Sequence, residues 1–215
     1  MNKKLFLVAV ILLIHSQAMA QSQELPKFEV AGEFTTLERE AFPGRRTEPG
    51  LGARFTYNLN EMFSIEAAGY FFPKQCSQCR NDGNVAEGLA GVKFGKRFEK
   101  WGIFAKGRPG AISFSRGAID VIVPPGTIPA FGPLDFEFKR VTAFAMDVGG
   151  VVEFYPSKRI VTRFDIGDTI MHFKRRNLNT VLFDPVTNTV TPIAIPIPAR
   201  TSHNFQFMTS VGFRF

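Results

Sequence analysis

After residue 20 the chain contains no long uninterrupted apolar stretch. A mature protein crossing a membrane by a helix would need roughly 20 consecutive apolar residues, so that architecture is excluded. Histidine and cysteine are scarce. His172 and His203 are the only histidines after residue 20, and Cys76 and Cys79 are the only cysteines. Zinc needs about four ligands, and no other Cys or His lies near Cys76-Ser77-Gln78-Cys79 in sequence. No metal and no cofactor is expected. Outside the cytosol, a disulfide between Cys76 and Cys79 pinning a loop tip is the expected use of the pair, with surface thiols or weak metal capture as alternatives. Internal repeats are absent, and no second domain is expected. The chain carries 26 Lys and Arg against 19 Asp and Glu. These basic residues are scattered and no nucleic-acid motif accompanies them, so nucleic acid is not an expected partner.

What is present begins with an export signal. Lys3 and Lys4 precede an apolar run from Leu5 to Ile14, and Ala18-Met19-Ala20 offers a small-x-small cleavage site. This pattern predicts a secretory signal peptide over residues 1–20. The mature chain would start at Gln21 with 195 residues and a net charge of +5, since Lys3 and Lys4 are lost.

The remaining 195 residues alternate. In the terminal run, Phe205, Phe207, Thr209, Val211, Phe213 and Phe215 share one parity, while Asn204, Gln206, Met208, Ser210, Gly212 and Arg214 share the other. Period two predicts a strand with two unlike faces. Seven similar segments precede it, over about 27–37, 50–58, 62–72, 85–97, 101–114, 136–155 and 159–172. Three connections are short: Asn58-Leu59-Asn60-Glu61, Phe98-Glu99-Lys100 and Pro156-Ser157-Lys158. Four are long and rich in Pro, Gly, Asn and charge, over 38–49, 73–84, 115–135 and 173–202. Only helices and closed barrels satisfy their backbone in hydrocarbon. Eight strands with short turns at one end and long loops at the other are the plan of an up-and-down outer-membrane barrel. The 24 phenylalanines and 19 glycines fit a lipid-facing sheet with close strand approaches. The predicted fold is therefore all-β: an eight-stranded antiparallel transmembrane barrel over residues 21–215. It is expected in the bacterial cell outer membrane with both termini periplasmic. A two-layer soluble sandwich shares the alternation and is the fold alternative.

Phe144-Ala145-Met146-Asp147-Val148-Gly149-Gly150-Val151-Val152-Glu153-Phe154-Tyr155-Pro156-Ser157-Lys158-Arg159, continuing through Ile160 to Asp168, resembles a hairpin of the OmpA-like eight-stranded outer-membrane barrels. Phe104-Ala105-Lys106-Gly107-Arg108-Pro109-Gly110 is similar to their fifth strand. The resemblance spans roughly residues 24–215. It implies that the terminal strand, with Phe205, Phe207, Val211, Phe213 and Phe215, is the signal read by the outer-membrane barrel assembly machinery. No peptidoglycan-binding domain is expected after the barrel, so a cell-wall tether does not carry over.

The polar faces of the strands hold Glu29, Glu33, Glu66, Glu87, Asp147, Glu153 and Asp165 together with Arg54, Lys93, Lys106, Arg108, Arg163 and Arg214. An eight-stranded barrel is just wide enough for side chains to fill, and unpaired charge in its interior is costly. A paired, solid polar plug is expected, centred on Asp147, Glu153, Arg163 and Asp165. An ion path or a gate of switching pairs is the alternative.

Enzymatic activity is not expected. Some lipid A deacylases of the outer membrane are eight-stranded barrels with a histidine followed two residues later by serine. Here His172 is followed by Phe173 and Lys174, and Ser202-His203 are adjacent and face opposite ways. Arg45-Arg46, Lys139-Arg140 and Lys174-Arg175-Arg176 fall near the loop end. They are either solvated or positioned to hold lipopolysaccharide phosphates or an anionic extracellular polymer. Thr191-Pro192-Ile193-Ala194-Ile195-Pro196-Ile197-Pro198-Ala199 reads as a stiff, apolar, extended loop segment, and Val121-Ile122-Val123-Pro124-Pro125-Gly126 as its counterpart. They form a contact surface or pack on each other. The expected role is structural or adhesive, through the loops. The expected partners are outer-membrane lipid, lipopolysaccharide and an extracellular ligand. A narrow pore is the main alternative and a lipid A-modifying enzyme the second.

Overall fold

The computed structural model describes residues 26–41, 44–76, 82–122, 135–184, 186–187 and 189–215. Eight strands close into one antiparallel barrel: β1 (Phe28–Ala41), β2 (Gly44–Asn58), β3 (Phe63–Phe72), β4 (Val85–Arg97), β5 (Trp101–Ile122), β6 (Asp135–Phe154), β7 (Ile160–Phe173) and β10 (Arg200–Arg214). Each pairs with its sequence neighbour, and β10 closes the ring between β7 and β1. The closing register sets Glu29 opposite Arg214 and Leu37 opposite Gln206. The expected signal peptide lies outside the described residues. Among the described residues no helix is long and apolar enough to cross a membrane.

Alternation becomes two surfaces. Along β3 the pattern is strictly exposed then buried, with Phe63, Ile65 and Phe71 outward and Ser64, Glu66 and Tyr70 inward. The inversion relative to a soluble protein is general: Leu51, Val92, Ile103, Phe144, Phe164 and Ile166 are exposed, while Glu29, Lys93, Arg108 and Asp147 are buried. Aromatic rings gather near the short-turn end. Phe28 lies 5.2 Å from Tyr57 and 5.8 Å from Phe215, and Phe98 stacks on Trp101 at 4.3 Å. This is the aromatic girdle of a transmembrane barrel.

Glycine is required where β4 and β5 approach. A Cβ on Gly91 would sit 2.1 Å from the carbonyl oxygen of Gly107, and one on Gly110 would sit 2.0 Å from that of Gly88. Between them Pro109 contributes no N–H to the ladder.

Three loop expectations are corrected. Residues 38–41 and 44–49 are not a loop: β1 and β2 continue as a ladder through Glu38↔Thr47 to Ala41↔Gly44. In the same way β5 runs on to Ile122 after a register shift between Phe114 and Ala118, and still pairs with β6. The stretch 173–202 holds two further strands, β8 (Arg176–Asp184) and β9 (Thr189–Ile197), which form a separate two-stranded sheet. The Pro-rich segment is thus a paired strand, with Ile195 opposite Leu178 and Ile193 opposite Thr180. Prolines are tolerated there because β9 is an edge strand. Its proposed counterpart lies outside the described residues from Val123 onward.

Candidate functional site

The interior is stratified. At the short-turn end, Asn58 donates to Glu29 at 3.0 Å, and Arg97 reaches the Tyr155 hydroxyl at 3.0 Å. Arg97 also approaches Glu29 and Glu153, each at 3.6 Å. Parity on β4 places Arg97 on the Lys93 face, so the alternation carried the signal for this residue although it was not among the expected charges. Arg214 is buried too, and its guanidinium sits 4.3 Å from the Tyr155 ring centre.

Above this layer lies the ion-pair belt, centred on Glu66. Its carboxylate accepts two hydrogen bonds from Arg163, one of them at 3.1 Å, and lies 3.5 Å from both Arg54 and Lys93 and 3.9 Å from Arg108. Arg163 turns its other edge to Asp165, at 2.5 and 2.7 Å. Arg54 donates to Glu33 at 2.7 Å, and Tyr70 donates to the second Glu33 oxygen at 2.5 Å. Lys93 bonds Glu153, and Lys106 bridges Asp147 at 2.8 Å and Asp165 at 3.1 Å. Arg108 holds Asp147 through two donors, at 2.5 and 2.9 Å. Every one of these side chains is essentially out of contact with solvent.

The four residues Asp147, Glu153, Arg163 and Asp165 fall in one continuous network. Arg163 joins Asp165 and lies 3.6 Å from Glu153, and Lys106 on β5 links Asp165 to Asp147, which also holds Arg108. Glu87 is buried but stands in no ion pair among the described residues. It accepts a hydrogen bond from Gln206 at 3.1 Å, and its Oε1 has no partner. Gln206 also bonds Thr35 and Thr169.

Toward the loop end apolar side chains enter the interior. Leu37, Phe72, Val85, Ile112, Phe114, Ala143, Ala145 and Met171 form one buried cluster, interleaved with the buried Glu48, Glu87, Ser202 and Gln206. Tyr70 and Met208 join it to the belt, through the Tyr70 hydroxyl and through Met208 Sδ, which lies 3.3 Å from Arg108.

At the rim the basic clusters are largely tied to the protein itself. Arg45 contacts Glu38 at 3.6 Å and the His203 carbonyl at 3.3 Å, Arg46 contacts Asp82 at 3.4 Å, and Arg176 donates to the Gly117 carbonyl at 3.0 Å. Lys139 holds Asp120 at 2.6 Å, which keeps the Asp120 carboxyl below its usual range, chiefly through that hydrogen bond and aided by Asn179. The same Asp120–Asn179 contact, at 3.1 Å, ties β8 to β5.

Each histidine meets one polar side chain on the exposed face. His172 Nδ1 meets Thr201 Oγ1 at 3.0 Å, and His203 Nδ1 meets Asp168 at 2.6 Å on the exposed face. Ser202 faces the lumen, where it accepts a hydrogen bond from Asn204 at 3.1 Å. Cys76 is disulfide-bonded, and Cys79 lies outside the described residues. The backbone N–H of Cys76 donates to Asp82 at 2.6 Å. Phe205, Phe213 and Phe215 are exposed on the outer wall, as is Val211, and Phe207 shares their parity on β10.

No family model matches the sequence, and no curated protein matches it significantly. Solved structures do match. Neisserial surface protein A is 11% identical with a TM-score of 0.52, over 88% of this chain and 97% of that one. The attachment invasion locus protein Ail of Yersinia pestis, crystallised with the heparin analogue sucrose octasulfate, is 12% identical with a TM-score of 0.49, over 87% and 97%. The N-terminal β-barrel domain of Pseudomonas aeruginosa OprF is 10% identical with a TM-score of 0.42, over 87% and 97%. Identity this low speaks to the fold alone. With eight strands, short turns at one end, an apolar exterior and a charged interior, this chain shares the fold of the small eight-stranded outer-membrane β-barrels.

Proposed function

We propose that this chain is an integral protein of the bacterial outer membrane with a sealed interior, and that its role is structural or adhesive and non-enzymatic, exerted at the loop end. The observation that carries this reading is the stacking of two unlike plugs in one lumen. The ion-pair belt fills the middle, and the apolar cluster of Leu37, Phe72, Val85, Ile112 and Met171 closes the loop-end side. Eight strands leave no room for a water channel around such side chains. An ion crossing would have to leave water at the apolar layer, which costs several kcal/mol even after relaxation. The outer wall of exposed Phe, Val, Ile and Leu supports a lipid environment.

The loop end supports a contact role. The β8–β9 hairpin exposes Leu182, Phe183, Val186 and Ile195, an apolar surface that a purely solvated loop has no use for. Lipopolysaccharide phosphates remain the proposed partners of the Arg45-Arg46, Lys139-Arg140 and Lys174-Arg175-Arg176 clusters, and the assembly machinery that of the terminal strand.

Planar-bilayer recording of the refolded protein tests the sealed interior. No steady unitary conductance is expected, and a steady conductance above that of a misfolded control would overturn the reading. Membrane fractionation with heat-modifiable gel migration tests the location, and a fully soluble product would refute it.

A further inference from the structure

The short-turn end of the barrel holds an open vestibule of about 690 Å³. One side of its lining is basic, with Lys27, Lys158, Arg159 and Arg214. The other is apolar, with Phe28, Leu59 and Phe215. No acidic side chain lines it among the described residues. Lys27, Lys158 and Arg159 are exposed and stand in no ion pair among those residues. Even with a main-chain carboxylate at Phe215 counted against the four cations, positive charge is left over.

The backbone that presents these groups is fixed. Asn58 donates its N–H to the Lys27 carbonyl and its side-chain amide to the Pro26 carbonyl, each at 2.8 Å. The Arg214 N–H donates to the Arg159 carbonyl at 2.8 Å, and Phe28 and Phe215 exchange two bonds of 2.9 Å. Ser157 Oγ accepts from the N–H groups of Arg159 and Ile160, at 3.3 and 3.1 Å, and so holds the turn. The most buried cation is the least satisfied. Arg214 is 6% exposed, lies over the Tyr155 ring and donates to the Ser157 carbonyl at 3.0 Å, yet its Nε–H has no acceptor. A buried charged donor left unmet is costly. Glu29, opposite Arg214 in the ladder, is shared among Asn58, Arg97 and Arg54.

We propose that this vestibule binds the headgroup of an anionic phospholipid from the leaflet at the short-turn end. That leaflet is the periplasmic one under the outer-membrane reading, on which this proposal rests. Phe28 and Phe215 belong to the aromatic girdle, so the space stands at headgroup level. The phosphate would face Lys27, Lys158, Arg159 and the Arg214 Nε–H. The first carbons of the acyl chains would lie on Phe28, Leu59 and Phe215. Leu59 is 56% exposed on its turn, an apolar surface that such chains would cover. The volume falls in the range of small-molecule sites, roughly 300–1,000 Å³. The charge selects against zwitterionic lipids, whose ammonium would meet further cations. Inorganic phosphate and anionic polymers gain nothing from the apolar side.

The test is NMR of the 15N-labelled refolded barrel in phosphatidylcholine nanodiscs, with a rising fraction of phosphatidylglycerol carrying the same acyl chains. Saturable shifts are expected for the Leu59 and Arg159 amides, and none for Thr47 and Lys139 at the loop end. Lys158→Gln with Arg159→Gln should weaken binding at least tenfold. Leu59→Ser should weaken it about threefold with no change of charge. Each variant is first shown to be folded by heat-modifiable migration, so a failure of lipid binding is distinct from a failure of the membrane barrel. The proposal is overturned by an absence of saturable shift in the folded protein, or by shifts at the loop end as large as those at Leu59 and Arg159. It is equally overturned by parental binding in either variant, or by phosphatidylethanolamine or inorganic phosphate binding as tightly as phosphatidylglycerol.

Discussion

The two layers of the lumen solve one packing problem by opposite chemistry. In the middle, Glu66, Arg163, Asp165 and Arg54 fill the space with long polar side chains whose positions are fixed by hydrogen bonds. At the loop end, Leu37, Phe72, Ile112 and Met171 fill much of it by contact, beside the buried Glu48, Glu87 and Gln206. The polar layer is intolerant of losing a single member, because each charge is compensated by several others. The apolar layer is tolerant in kind and sensitive in volume. In the sealed barrel proposed here, the belt supplies order and the apolar cluster above it denies ions a wet path.

The comparison is broken most forcefully at Arg163. Arg163→Ala leaves Glu66 and Asp165 without their principal partner, and a loss of about 3–5 kcal/mol is expected from urea unfolding in phospholipid vesicles. Arg163→Met combined with Asp165→Leu should recover part of that loss, since it removes one charge of each sign and leaves Glu66 with Arg54 and Lys93 and Lys106 with Asp147. A double variant as unstable as Arg163→Ala would show that shape, not charge balance, governs the belt. In the apolar layer, Ile112→Ala should lower stability by about 2–5 kcal/mol through cavity formation. It should leave bilayer conductance at zero, because the belt below still fills the lumen. Opening of a steady conductance would place the entire seal in the upper layer.

A smaller effect is expected at Glu87, where the two layers meet. Unlike Glu66, it lies in no ion pair among the described residues, and one of its oxygens has no partner. Glu87→Gln should stay within about 1 kcal/mol of the parent or stabilise it, since it removes an unpaired buried carboxylate. Glu66→Gln measured alongside should be clearly more damaging, and equal effects would erase the distinction between them. The smallest change concerns the hairpin. Lys139 holds Asp120 below its ordinary range, so the contact is complete above the usual carboxylate range and is lost as pH falls through the lowered value. The protection factor of the Asn179 amide, whose N–H faces Asp120 at 3.3 Å, should fall at acid pH while the strands of the barrel stay protected. An unchanged protection factor would mean that β8 is held by its ladder alone.

Much of the fold was readable from alternation. The inward parity of Arg54, Glu66, Lys93, Lys106, Arg108, Asp147, Glu153, Arg163 and Asp165 follows from period two, because one face must meet lipid and the other cannot. The same parity turns Arg97 inward. The β8–β9 hairpin was obscured by Pro192 and Pro196, which read as strand breakers although they sit on an edge. The ladder extensions of β1 and β2 were hidden by polar loop-like composition, since beyond the membrane neither face needs to be apolar, and that of β5 by the register shift between Phe114 and Ala118, which breaks its period.

The sequence by itself determined which side chains face the lumen, how many strands surround it and at which end the turns are short, because these are local consequences of a period and of turn chemistry. Only the tertiary structure decided who pairs with whom. Arg163 reaches Glu66 across the lumen from β7 to β3, strands that share no ladder. Asp147 joins Lys106 and Arg108 rather than Arg163. The basic vestibule at the short-turn end likewise draws on the ends of β1, β2 and β10. Such contacts depend on the tilt and stagger with which the sheet closes, which no single strand encodes.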